Sequence, residues 1–179
     1  SIADKIITIH PIVPSLVDLL QYYFMLILYG GRDSGKTVGM IHLLLMLCLT
    51  GNHKIGVFRA EQDQLEKESI RAMIESVIYK LGLYSFCRRI GKRILINNRI
   101  EITINGFHSV IVFDYVANNP EKLRGSYDGF DVFVFEEFHQ FPKRVLEVAI
   151  PTLERAPNHP HLLGTCNLED QNTYAYELI

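Results

Sequence analysis

The stretch Gly30-Gly31-Arg32-Asp33-Ser34-Gly35-Lys36-Thr37 constrains this chain more than any other part of its sequence. It matches G-x-x-x-x-G-K-[ST], a loop whose glycines let the backbone wrap so that N–H groups point at phosphate oxygens. With Gly at about 7% of residues, a chance match is on the order of one in tens of thousands per position. The flanks agree. Residues 24–29 form an apolar run of strand length, and residues 36–50 are apolar on nearly all sides, a helix buried on several faces that stops at Gly51. A helix starting at the loop turns its positive dipole end toward the bound anion. Lys36 is placed to reach the β- and γ-phosphates and Thr37 to ligate Mg²⁺. The expected nucleotide site is therefore Gly30, Gly31, Arg32, Asp33, Ser34, Gly35, Lys36 and Thr37, with ATP and Mg²⁺ as its occupants.

The rest of the chain reads as alternating helices and strands. Ser15 caps a short helix to about residue 22, and residues 54–60 form a second strand. Leu65, Ile70, Met73, Ile74, Val77, Ile78 and Leu81 give residues 64–81 helical periodicity. Residues 93–96, the Asn97-Asn98 turn, and Ile100, Ile102 and Ile104 in alternation predict a hairpin. A strand at 110–113, a polar loop at 118–129 and a buried strand at 132–135 follow, then a helix opened by Pro142 and running to about 155, and a last strand at 161–165. This pattern predicts an α/β P-loop NTPase, its mostly parallel central sheet flanked by helices and interrupted by one antiparallel hairpin.

Composition sets the outer limits. The 179 residues suit a single domain, 1–179. A content of 48% hydrophobic and 21% charged residues excludes disorder as the main state. A net charge of −2 excludes a globally basic nucleic-acid coat, so any such contact uses a local patch. The apolar runs at 24–29 and 43–49 fall well short of the roughly 20 residues a membrane helix needs, so no membrane role is expected, and no signal peptide is seen. Cys48, Cys87 and Cys166 show no zinc or disulfide spacing, which suits a reduced, intracellular protein with Cys48 as a small core residue. The first residue is Ser, which suggests a fragment.

A phosphate-binding loop needs a carboxylate at the tip of a neighbouring strand. Val132-Phe133-Val134-Phe135-Glu136-Glu137 supplies two. Glu136 is read as facing the metal and Glu137 as the general base that activates water. A catalytic Glu directly after this strand points to the additional-strand, RecA-like group of such ATPases. No Asn-Lys-x-Asp base reader of the GTPase type is present.

At these residues the chain resembles a known family. Gly30-Gly31-Arg32-Asp33-Ser34-Gly35-Lys36-Thr37 is similar to the Gly-Gly-Arg-x-Ser-Gly-Lys-Ser/Thr loop of phage terminase large subunits. Lys122-Leu123-Arg124-Gly125 resembles their Leu-Arg-Gly segment, and Gly164-Thr165-Cys166-Asn167 resembles their coupling motif. The resemblance covers roughly residues 22–168. It implies an ATP-driven motor that moves double-stranded DNA into a procapsid, working in the host cell cytoplasm at the procapsid portal. The implied partners are the portal protein, the small terminase subunit and further copies of the chain in a ring, typically a pentamer. It also implies that Arg32 senses the nucleotide, that Arg124 comes from a region able to present an arginine finger to a neighbouring subunit, and that Thr165 and Asn167 couple hydrolysis to movement. Family members carry a C-terminal RNase H-like nuclease domain, which is not expected in these 179 residues. Two departures stand out: Asp33 puts a carboxylate in the phosphate loop, and Glu136 stands where Asp is more common.

Weaker signals are read conservatively. Arg88-Arg89-Ile90-Gly91-Lys92-Arg93 with Arg99 reads as a solvated hairpin base, with a DNA-backbone contact as the alternative. Tyr22 and Tyr23 read as core or interface packing rather than as an adenine border. His139, His159 and His161 lack partners at metal spacing. The rival functions are a helicase- or AAA-like ATPase with another substrate, and a nucleotide-binding regulatory module with little activity of its own.

Overall fold

The computed structural model describes residues 13–30, 35–60, 66–157 and 159–167. The chain runs through α1 (Val13–Leu20), β1 (Met25–Gly30), α2 (Lys36–Thr50), β2 (Lys54–Arg59), α3 (Ile70–Lys80), β3 (Arg99–Ile104), β4 (Phe107–Tyr115), α4 (Lys122–Ser126), β5 (Val132–Phe135), α5 (Lys143–Glu154) and β6 (His161–Asn167). Among the described residues these strands make one sheet in the order β1-β6-β5-β2-β4-β3. The pairs β1–β6, β6–β5, β5–β2 and β2–β4 are parallel, and β3 closes the far edge antiparallel to β4. β6, last in sequence, lies between β1 and β5, which is the additional strand expected from the acidic tip.

Both faces of the sheet are covered, which explains why β5 reads as four apolar residues without a polar alternate. Val132 and Val134 pack with Ile55, Val57 and Leu163 under α1, α2 and α3. Phe133 and Phe135 pack with Phe58 and Leu162 under α4 and α5. Helix α2 is buried on several sides, and Cys48 is in this core. On the α5 face the Phe58 ring stands edge-on to Tyr127 and Phe133, with centroids 4.9 and 5.3 Å away. That ring lies over Gly56, where a Cβ would come within 2.4 Å of its Cζ, so the strand needs glycine there.

Several boundaries differ from expectation, each for a local reason. The Asn97-Asn98 turn forms as expected, with φ of 51° and 58° and a bridge from Ile96 to Arg99, but the extended ladder is the next one, which turns at Asn105-Gly106 (φ 53° and 79°) and joins β3 to β4. Residues 93–96 make only isolated bridges, because the Ile94 N–H is taken by the Glu75 carboxylate of α3. Helix α3 starts at Ile70, where Ser69 Oγ accepts from the Ala72 N–H. The earlier part of its expected span, through residue 65, lies outside the described residues. The polar loop at 118–129 contains α4, anchored by buried Leu123. Helix α1 starts two residues early, with Pro14 in the first turn, where its missing N–H has no cost. Tyr22 and Tyr23 are not core residues, at 79% and 58% exposed. Among the described residues no helix is long and apolar enough to cross a membrane. The three cysteines are free and buried.

Candidate functional site

Gly30 ends β1, and Gly35 opens α2 at φ 81°, a left-handed conformation that suits glycine. The Gly35 carbonyl accepts the first helical bond from the Gly39 N–H, 2.8 Å away. Lys36 and Thr37 thus fall on the first turn of α2, both partly buried. Lys36 Nζ donates to the Gly30 carbonyl, bridging the two ends of the loop. Gly31, Arg32, Asp33 and Ser34 lie outside the described residues.

The acids follow β5. The Glu136 N–H donates to the Phe58 carbonyl, 2.9 Å away, continuing the ladder with β2. Strand alternation carries its side chain to the face of Val132 and Val134, the face covered by α2. The residue is only 4% exposed. Its Oε2 accepts from the Ile70 N–H at the start of α3 (3.0 Å) and lies 3.4 Å from Arg59 Nη1. Burial pushes its carboxyl up to about 7, against the lowering pull of the Ile70 N–H and Arg59. Its other oxygen, Oε1, is buried with no hydrogen-bond partner among the described residues. A buried carboxylate with one orphaned oxygen is short of positive charge, so Mg²⁺ or its bound water fits there. Thr37, on the helix that covers the same face, is the second donor of the expected type. Among the described residues no group of three or more His, Cys, Asp or Glu side chains could hold a metal. An ion held by one carboxylate, one hydroxyl, phosphate oxygens and water needs no such group.

Glu137 departs from the strand. Its backbone is left-handed, φ 54° and ψ 55°, which is uncommon for a residue with a side chain. Its N–H donates to Thr165 Oγ1 on β6, 3.1 Å away. Its carboxylate is 39% exposed, and Oε2 lies 3.3 Å from His139 Nε2. Two adjacent acids therefore occupy opposite environments, one sealed and one open.

Parallel pairing sets Gly30, Asn167 and Phe135 at the same edge of the sheet. β1 and β5 are separated by β6 alone, about 10 Å between their axes. The loop ends, both acids and Thr165 thus gather at one edge. The Asn167 side chain lies outside the described residues. Arg124 is not part of this gathering. It sits on α4, under the opposite face, 53% exposed and 3.4 Å from Glu121. Glu121 also holds Arg144. The basic stretch forms surface ion pairs, Arg88 with Glu101 and Arg93 with Glu75, as a solvated hairpin base would.

Three contributors were missed in the sequence: Arg59 and the α3 N-terminus beside Glu136, and His139 beside Glu137. Arg59 had a signal, a charge closing an apolar strand. His139 lies two residues past Glu137, and its sequence neighbourhood points to no metal site, so only the fold shows its contact with that carboxylate. A cavity of about 250 Å³ lined by Arg59, Arg71, Asn98, Asp114 and Glu136 opens on the β2 side of the acids.

This fold and edge define a P-loop NTPase of the RecA-like group, with one strand inserted between loop and acids. The family model described as phage terminase large subunit matches residues 23–177, and the chain belongs to that family. No curated protein matches the chain. The large terminase of a thermophilic bacteriophage shares the fold at 16% identity, with a TM-score of 0.62 over 83% of this chain and 35% of that one. The same terminase in complex with ADP gives a TM-score of 0.63 at 16% identity, over 82% and 34% of the two chains. The ATPase domain of the Thermus phage P74-26 large terminase gives 0.55 at 18% identity, over 80% and 59%. The chain thus spans about a third of the first of these terminases.

Proposed function

We propose that this chain hydrolyses ATP to drive double-stranded viral DNA into a procapsid. The observation that carries the reading is one sheet edge, in a chain of the terminase family, that joins the Lys36-Thr37 turn to Glu136 and Glu137 across β6. Lys36 and the loop Gly30, Gly31, Arg32, Asp33, Ser34 and Gly35 hold the phosphates. Thr37 and Glu136 would hold Mg²⁺, which would supply charge neutralisation for the phosphate groups. Glu137, at the open end of the strand, orients and deprotonates the attacking water. Arg32 stabilises charge as the γ-phosphate departs. Arg124, exposed on the opposite face, acts on the nucleotide of a neighbouring copy in a ring, read as a pentamer. Thr165 and Asn167 transmit the change to the DNA-moving parts. The working complex forms with the portal protein and small terminase subunit in the host cytoplasm.

Lys36→Ala is expected to abolish ATP binding. Glu137→Gln is expected to keep binding and lower kcat by about 10²–10⁴. Fluorescent-nucleotide titration and phosphate release on the full-length protein measure both. Wild-type ATP binding by Lys36→Ala refutes the loop assignment. A full-length protein that neither binds nor is stimulated by double-stranded DNA refutes the packaging role.

A further inference from the structure

We propose that His139 is a positioning residue for hydrolysis, fixing the Glu137 carboxylate by a contact rooted in β6. The inference rests on the reading of Glu137 as the group that activates water.

Glu137 is exposed at the carboxylate and sits on a left-handed backbone. A free Glu side chain gives up rotamer entropy when held in one pose. A general base needs that pose before the substrate arrives. Two grips supply it. Thr165 Oγ1 takes the Glu137 N–H, and His139 Nε2 lies 3.3 Å from carboxylate Oε2. The ring is itself rigidly held. His139 is buried in the 3₁₀ turn Phe138–Gln140, between Phe138 and Phe141, whose rings pack edge-on to Phe135 at 6.3 and 5.0 Å. Its Nδ1 lies 3.8 Å from Cys166 Sγ. With Nε2 donating to the carboxylate, Nδ1 is the acceptor left for the weak thiol donor. Cys166 directly follows Thr165. The backbone and the carboxylate of Glu137 are thus both anchored to one dipeptide of the strand between loop and acids. The contact uses Oε2, which leaves Oε1 for the water.

Steady-state ATPase and nucleotide affinity of the full-length protein test this in five variants. His139→Ala is expected to lower kcat about 10–100-fold with unchanged nucleotide affinity. His139→Gln places an amide N–H near the Nε2 position and is expected to restore most of kcat, whereas His139→Asn is not. In a Glu137→Gln background, His139→Ala is expected to change kcat no further. If Glu137→Gln keeps wild-type kcat, the reading of Glu137 fails. If Glu137→Gln is inactive while His139→Ala turns over like wild type, the His139 proposal alone falls. It also falls if His139→Ala lowers kcat equally in both backgrounds. Should the alanine variant fail to fold, the Gln and Asn variants decide: equal kcat in both overturns the proposal.

Discussion

Gly164→Ala tests how tightly β6 is set against the acidic strand. A methyl there would lie 2.8 Å from Ile27 Cδ1, 3.1 Å from Phe138 Cδ2 and 3.3 Å from the Phe135 carbonyl oxygen. Carbon contacts relax at about 3.5–4.0 Å. Ile27 Cδ1 is a side-chain tip and can rotate away. The Phe135 carbonyl is backbone of β5, paired with β6 at this point, and cannot move without opening that pairing. The Phe138 ring is packed on Phe135. Overpacking of this kind costs about 1–3 kcal/mol. Removing a strand glycine returns about 0.5–1 kcal/mol. Because the Phe135 carbonyl and the Phe138 ring cannot give, the cost falls in the upper half of that range, and the net loss is about 1–2.5 kcal/mol, which for a domain of this size lowers Tm by about 2–10 °C. Phe138 follows Glu137, so kcat is expected to fall as well, with nucleotide affinity kept. Gly125→Ala is the control. It has open space and a helical position, and is expected to be neutral or slightly stabilising. Thermal melts followed by circular dichroism measure both. A Gly164→Ala melt within about 1 °C of wild type refutes the steric argument.

Three further outcomes are expected. Asp131 is buried and accepts from the Lys54 N–H (2.8 Å) and pairs with His53 Nδ1 (2.6 Å), so Asp131→Ala should cost about 2–3 kcal/mol in urea unfolding, and Asp131→Asn less. Ser69→Ala removes the α3 cap and should cost about 1 kcal/mol in the same assay; an unchanged midpoint would show that the cap is dispensable. Burial pushes the Cys48 thiol up to about 12 and Cys87 up to about 11. Since both lie above the unfolded value of 9.0, their contribution to stability is complete below pH 9 and is lost as pH rises through 11–12. At pH 8 the native thiols should label only as the protein opens, and labelling at the rate of a free thiol would contradict that burial.

The parts of the fold carried by local pattern were legible in the sequence. Helix α2 has its expected bounds, because glycines stand at both ends and nothing between them breaks it. β5 is legible because its apolar run is only four residues long, closed by Asp131 and by two acids, which is too short for a helix and suits a strand buried on both faces. The place of β6 was inferable from Glu following β5, a chemical clue rather than a periodic one. Residues 93–96 look like strand by composition yet are diverted by a long-range bond to Glu75, which no window of sequence contains. The anchoring of the His139 ring is hidden from the sequence for a related reason. Its partner Cys166 is 27 residues away, and only the parallel pairing of β5 with β6 brings the two together.

The acid pair shows how adjacency in sequence can become two opposite environments in space. Strand alternation would by itself send Glu136 and Glu137 to opposite faces of the sheet. Glu136 obeys it and enters the α2 face, where Arg59 of β2 and the first N–H of α3 hold one oxygen. Glu137 does not continue the strand. Its left-handed backbone turns the chain back, and its N–H bonds to β6 instead of extending the ladder. One acid is therefore referenced to β2 and α3, and the other to β6. The two different anchorages follow from a single dihedral choice at residue 137. Glycine at that position would relieve the backbone but delete the carboxylate, so the strain and the proposed role are tied to the same residue.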